Sequence, residues 1–162
     1  MEKTEKRILA IVAAIFVVLA VAAAIVAVKH PPKSVKYVPP AFDEAAVVGI
    51  PTDAGESYSK MAAKEGLSVW ICGAPKLIDG DLELYFTADE DNTCYVRLLV
   101  LTEDGKQIGS TGLLRPGEYV RLVSLDKSLH SGDAVVLKIL SYEPETYYSL
   151  GSFTAKVLVY GE

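Results

Sequence analysis

The chain begins with a pattern that has almost no polar member. From Ile8 to Val28 runs an uncharged stretch of 21 residues, of which 13 are Val, Ile, Leu or Phe and 8 are Ala. A helix rises about 1.5 Å per residue, so this run is about 31 Å long and matches a hydrocarbon core of about 30 Å. A buried core helix of that length would carry a polar stripe, and none is present. A cleavable signal peptide has an apolar region of about 7–15 residues, shorter than this one, with Ala22-Ala23-Ala24 as the place where a peptidase would act. No Cys follows the run, so a lipoprotein is excluded. The pattern predicts one transmembrane helix over 8–28.

His30-Pro31-Pro32-Lys33 ends that helix, because proline cannot continue it and restricts the residue before it. Pro39-Pro40 follows, and the stretch reads as a short, stiff spacer. Between Phe42 and Gly66 the pattern is ambiguous. Val47–Ile50 fits a short strand stopped by Pro51, and Ser57–Lys64 fits one or two helical turns with Gly66 as the stop.

From Leu67 onward the period changes to two. Leu67–Ala74, Leu82–Thr87, Cys94–Leu101, Gln107–Leu114, Tyr119–Leu125, Ala134–Ser141 and Ser152–Tyr160 read as strands separated by turn residues. Asp104-Gly105 supplies the positive φ of a hairpin, and Arg115-Pro116-Gly117 turns the chain again. Seven strands, or eight with Val47–Ile50, predict an all-β fold: an antiparallel immunoglobulin- or fibronectin III-like sandwich. The expected core is Val69, Ile71, Leu84, Phe86, Val96, Leu98, Val120, Leu122, Val135, Leu137, Ile139, Phe153, Val157 and Val159. Leu67–Ala74 and Tyr119–Leu125 are apolar on both sides, so the pattern leaves their faces open. The layout is then a cytoplasmic tail over 1–7, a transmembrane helix over 8–28, a Pro-rich spacer over 29–44 and an extracellular β-sandwich over 45–162.

Charge changes this picture in one respect. The net charge of −5 divides into +4 over residues 1–36 and −9 over 37–162. An acidic folded part with no basic stripe repels phosphates, which argues against nucleic acid as a partner. Lysines flank the apolar run on both sides, so the positive-inside count is balanced. The seven-residue tail is too short to fold, and the β-rich remainder with its Cys pair suits the exterior. The expected location is the cell membrane, single-pass, with the C-terminal domain outside.

Candidate chemistry is sparse. Two Cys and two His are too few for a zinc cage of those residues alone. Cys72 and Cys94 lie on adjacent expected strands and are a candidate disulfide, which would stabilise by about 3 kcal/mol on chain-entropy grounds; the alternative is two buried free thiols. Asp89-Glu90-Asp91-Asn92 is an acidic loop, and carboxylate clusters on β-domain loops can hold calcium, though a solvated turn is the commoner meaning of such a run. Asp126, His130 and Asp133 share one loop, but a catalytic triad needs a base oriented by a buried acid, which a sequence-local trio does not supply. Tyr142, Tyr147 and Tyr148 surround Glu143-Pro144-Glu145. Tyrosine offers large contact area at low entropy cost, so they are a candidate contact surface, with burial against the sandwich edge as the alternative. No catalytic residue, metal ligand set, cofactor site or small-molecule substrate is expected.

Cys72-Gly73, the Leu84-Tyr85-Phe86-Thr87 strand running into the acidic loop, the stretch Gly112-Leu113-Leu114-Arg115-Pro116-Gly117-Glu118-Tyr119-Val120 and the stretch from Ser141 to Gly151 together resemble a group of small, single-pass, uncharacterised proteins of anaerobic Gram-positive bacteria. The resemblance covers roughly 45–160 and the anchor-and-spacer layout. It implies an envelope-exposed β-domain on a tether and carries over no activity, ligand or site residue.

These readings converge on a non-enzymatic binding or structural module held near the cell membrane by residues 8–28, its partner another envelope protein or a second copy of itself. The alternative is a pilin-like filament subunit packed through its N-terminal helix. Against it, no Gly or Ala precedes the helix as a processing site and no Glu lies just inside the apolar run.

Overall fold

Period-two alternation builds most of the molecule. The computed structural model describes residues 15–17, 19, 37–62 and 67–161, and the chain divides into two units, Met1–Val38 and Pro39–Glu162. Ile15–Val17 and Leu19 are helical, with exposed side chains. The rest of the expected transmembrane segment 8–28, the tail 1–7 and most of the spacer lie outside the described residues. Among the described residues, no helix is long and apolar enough to cross a membrane.

The second unit is all-β and antiparallel. Its strands are β1 (Val47–Val48), β2 (Tyr58–Ala62), β3 (Ser68–Cys72), β4 (Lys76–Ile78), β5 (Asp81–Ala88), β6 (Tyr95–Thr102), β7 (Gln107–Ser110), β8 (Glu118–Val123), β9 (Ala134–Tyr142) and β10 (Ser149–Leu158). The larger sheet has the order β1-β8-β5-β3-β2, with β4 also pairing β5, and the smaller has the order β10-β9-β6-β7. Along one edge of β5, β3 pairs with Thr87 and Ala88 while β4 pairs with Asp81–Glu83. One core joins the sheets. Val69, Ile71, Leu82, Leu84 and Phe86 from the larger sheet meet Val96, Leu98, Val100, Val135, Leu137 and Ile139 from the smaller, as the burial of alternate side chains requires.

The differences from the sequence pattern have local causes. Residues 58–62 form a strand rather than helical turns: Tyr58 and Lys60 alternate with Ser59 and Met61 along the edge of β3, and Met61 packs on the core. Leu122, expected inside, is 40% exposed. It pairs with the outward-facing Glu83, whereas Val123 pairs with the buried Leu82. Phe153 and Val157 are only partly buried because they sit on an edge strand.

The compact unit begins at Pro39, so the last residues of the expected spacer belong to the fold. The Leu113 amide donates to the Ala41 carbonyl (2.9 Å), and the Asp43 amide donates to the Leu113 carbonyl (3.0 Å). The Phe42 ring lies edge-on to Tyr95 at 5.0 Å and beneath the Arg115 guanidinium at 3.7 Å. Tyr95 pairs with Tyr142 and Val69 with Ala88. The loops 89–94, 111–117 and 143–148 therefore gather with Phe42 at one end of the unit, the proximal end. The connections 73–75, 79–80 and 124–133, with residues 159–161, gather at the opposite, distal end.

Candidate binding cleft

The distal end is shaped by a bulge in β5. Leu82 and Glu83 pair with Val123 and Leu122, but Phe86 and Thr87 pair with Val120 and Tyr119. Leu84 and Tyr85 together therefore oppose Arg121 alone. A bulge bends its strand and re-aims a side chain. Here Tyr85 takes φ +51°, a conformation costly for a bulky residue and sustained only by its surroundings. Its buried hydroxyl donates to Glu83 Oε1 (3.3 Å), and Asp53 provides a second carboxylate beside it. Burial first, and those two carboxylates after it, push the Tyr85 phenol up to about 12. Arg121 donates from Nε and Nη2 to the same Glu83 oxygen at 2.8 and 2.7 Å, and its guanidinium lies 5.6 Å from the Tyr85 ring.

Around this knot lies an open cleft of about 710 Å³, lined by Lys76, Asp79, Glu83, Arg121, His130 and Tyr160 among others. Its floor is set by the C-terminal segment. The Tyr160 amide donates to the Pro75 carbonyl and the Leu77 amide to the Tyr160 carbonyl, each at 2.8 Å. A second hollow of about 410 Å³ shares Lys76 and Glu83 as a wall and is lined beyond them by Asp53, Ser57, Cys72 and Tyr85. Glu83 is occupied by Arg121, while Lys76 is exposed and forms no ion pair among the described residues. The cleft thus offers an uncommitted ammonium, a guanidinium edge, an imidazole and the Tyr160 ring to whatever enters it.

The sequence-predicted sites fall elsewhere. In this structure Cys72 and Cys94 are both buried free thiols, the alternative to the candidate disulfide. Val69 and Ile71 of β3 point into the core, and Cys72 takes the opposite face, where its Sγ lies 3.0 Å from Ser57 Oγ. Cys94 belongs to the core itself, and burial pushes its thiol pKa up.

The acidic loop is not a wholly solvated turn. Asn92 is buried and pairs with the Ser68 backbone through both side-chain atoms, accepting from the amide at 2.9 Å and donating to the carbonyl at 2.8 Å. Asp89, also buried, accepts from Lys60 Nζ (2.7 Å), Trp70 Nε1 (2.8 Å) and the Asp91 amide (3.1 Å). Among the described residues no group of three or more His, Cys, Asp or Glu could hold a metal ion.

The Lys60 hydrogen bond above all, then the Asp91 amide and the Trp70 indole, hold the Asp89 carboxyl below its ordinary range. A depressed native value adds stability that is present above the unfolded value of about 3.9 and is lost as pH falls through the native one. Asp89→Asn is therefore expected to be less stable than wild type at neutral pH, with the gap closing below about pH 4. Urea unfolding at several pH values checks this, and a gap that persists unchanged in acid would refute it.

The three candidate tyrosines differ in exposure. Tyr142 is 9% exposed and Tyr147 lies 5.9 Å from the Tyr95 ring, leaving Tyr148, at 69%, as the open member. The loop is tied by Tyr147 N to Glu143 O (2.9 Å) and by Glu143 Oε2 accepting from the Thr146 amide (2.6 Å). It also sits at the proximal end, with the acidic loop. His130 lies on the distal cleft, where Asp133 caps its backbone amide at 2.9 Å while Nδ1 stands 3.8 Å away, so that carboxylate serves the turn.

Sequence reading missed Lys76, Glu83, Tyr85, Arg121 and Tyr160 as one group. The available signal was Asp79-Gly80, a hairpin dipeptide whose two positive φ values, 53° and 91°, join β4 to β5.

Fold and site together define a two-sheet antiparallel β protein with an open polar cleft at its distal end. No protein-family model, curated protein or solved structure matches the chain.

Proposed function

We propose that the chain is a non-enzymatic binding module, an immunoglobulin-like sandwich anchored outside the cell membrane by residues 8–28, and that its distal cleft receives another envelope protein. The observation that carries this reading is the placement of the cleft: its lining residues lie at the end of the fold opposite Phe42. With Phe42 docked, the free spacer is about ten residues, or about 31 Å if polyproline-like, which holds the domain near the membrane. An envelope-exposed β-domain on a tether is also what the family resemblance implies.

The test uses a photo-crosslinking residue in the full-length protein in its native membrane, at His130 in the distal cleft or at Tyr148 on the proximal loop. The expected result is a discrete heterologous adduct from position 130, weak or absent from position 148, with residues 1–28 still attached. Adducts only with the protein itself, in a ladder and with a trimmed N-terminus, would overturn the reading in favour of a filament subunit.

A further inference from the structure

The two sheets treat their edges differently. β1 is two residues long and β2 five. The outer edge of β7 is covered, since Gly109 bridges to Leu125 and the Asp126 amide donates to the Ile108 carbonyl at 2.7 Å. β10 is ten residues long and lies at the other edge of the smaller sheet. Ser152–Leu158 pairs without interruption against Leu140–Ala134 of β9. Beyond that ladder, no turn, loop or bridge bond among the described residues reaches those seven. They contain no proline, and their single charge, Lys156, is turned to Glu103 in the turn between β6 and β7. Native edges of this length are ordinarily shortened, bulged, charged or covered, because unpaired backbone groups template a further strand.

The side chains say which strand fits. In β10, Phe153 and Val157 pack toward the core and remain half-open, while Ser152, Thr154, Lys156 and Leu158 are exposed. Two copies can pair antiparallel about a two-fold axis only in registers that keep like faces together. Centring on Lys156 opposes two ammonium groups, and centring on Thr154 sets Phe153 beside only Ala155. Centring on Ala155 places Phe153 against Val157 twice on the core side and Thr154 against Lys156 twice on the outer side. The geometry points to a second copy of this chain as the partner of β10, in an isologous dimer centred on Ala155 that joins two four-stranded sheets into one of eight. This interface is independent of the distal cleft.

The register makes the test specific. Thr154 is exposed, so charge can be placed there without disturbing the core. Thr154→Glu sets a carboxylate opposite the partner's Lys156 at two symmetric positions, and Thr154→Lys sets an ammonium there. Opposite-charge cross-strand pairs stabilise and like charges oppose. By sedimentation equilibrium of the full-length protein in detergent, Thr154→Glu is expected to tighten and Thr154→Lys to weaken dimerisation, each by about twofold to thirtyfold. Thermal unfolding confirms that both variants fold. A wild-type chain that stays monomeric at the highest concentration reached would overturn the proposal. So would a dimer indifferent to both substitutions, since its contacts would then lie elsewhere, in the apolar N-terminal run for instance.

Discussion

Replacing Phe86 by Ala is expected to cost about 3–5 kcal/mol, whereas replacing Leu122 by Ala, also an apolar strand residue of the larger sheet, should cost less than about 1 kcal/mol. Phe86 is fully buried at the centre of β5 and pairs with Val120 across the ladder. Its removal leaves a cavity between the sheets that close-packed neighbours fill only in part. Leu122 is 40% exposed on the outer face beside Glu83, so truncation removes little buried surface. Urea unfolding of the two variants under one set of conditions measures both. The size of the first loss matters because a domain's whole stability is about 5–15 kcal/mol. Comparable losses at the two positions would refute the bulged register, because a regular β8 would bury Leu122 as deeply as Val120.

That contrast marks where the fold was legible and where it was not. Wherever a strand alternated strictly, as in Val96, Leu98 and Val100 or Val135, Leu137 and Ile139, the period alone names the face, and all six are buried. It fails in β8, where the two residues between Val120 and Val123 both face outward. That spacing comes from an extra residue in β5, a neighbour more than thirty positions away, and no window on β8 contains it. β2 was missed for a similar reason. Tyr-Ser-Lys-Met-Ala has weak alternation of its own and is a strand because β3 presents an edge for it to pair with.

The candidate cleft was less legible than the fold. Its members come from β4, β5, β8, the 124–133 connection and the C-terminal segment, and only sheet topology brings them together. Clusters visible along the sequence are local, and local clusters in a β-sandwich are loops. The acidic loop is pinned by Asn92 to Ser68, and the tyrosine loop is folded on Glu143. Asn92 spends its polar atoms on backbone groups and Glu143 accepts from the amide and hydroxyl of Thr146, uses that no composition argument distinguishes from a ligand site. The faces of the cysteines turn on a single step of parity: Cys72 directly follows the core-facing Ile71 of β3 and lies off the core cluster that holds Cys94.

The second large effect is expected at Gly112, where the spacer meets the sandwich. A Cβ on this residue would stand 2.5 Å from the Asp43 amide nitrogen, 2.6 Å from Asp43 Cα and 2.8 Å from the Phe42 carbonyl carbon. These are backbone atoms, and they cannot swing aside as the end of a side chain could. They are also held from both directions, by the Ala41–Leu113 and Asp43–Leu113 bonds and by the Gly112 amide donating to Asp43 Oδ2 at 2.7 Å. Gly112→Ala must therefore either strain this segment or release it. Overpacking costs about 1–3 kcal/mol and each lost hydrogen bond about 1 kcal/mol, so the expected loss is about 2–4 kcal/mol. Gly73→Ala is the matched control. Its nearest neighbour would be the Ser57 carbonyl oxygen at an ordinary 3.5 Å, and its effect should be small. Limited proteolysis adds a readout that a general loss of packing would not give. Release of Phe42 from Tyr95 and Arg115 should expose residues 39–46 to cleavage well below the unfolding transition, in Gly112→Ala and not in Gly73→Ala. Equal stability and equal cleavage in the two variants would show that the segment is not latched.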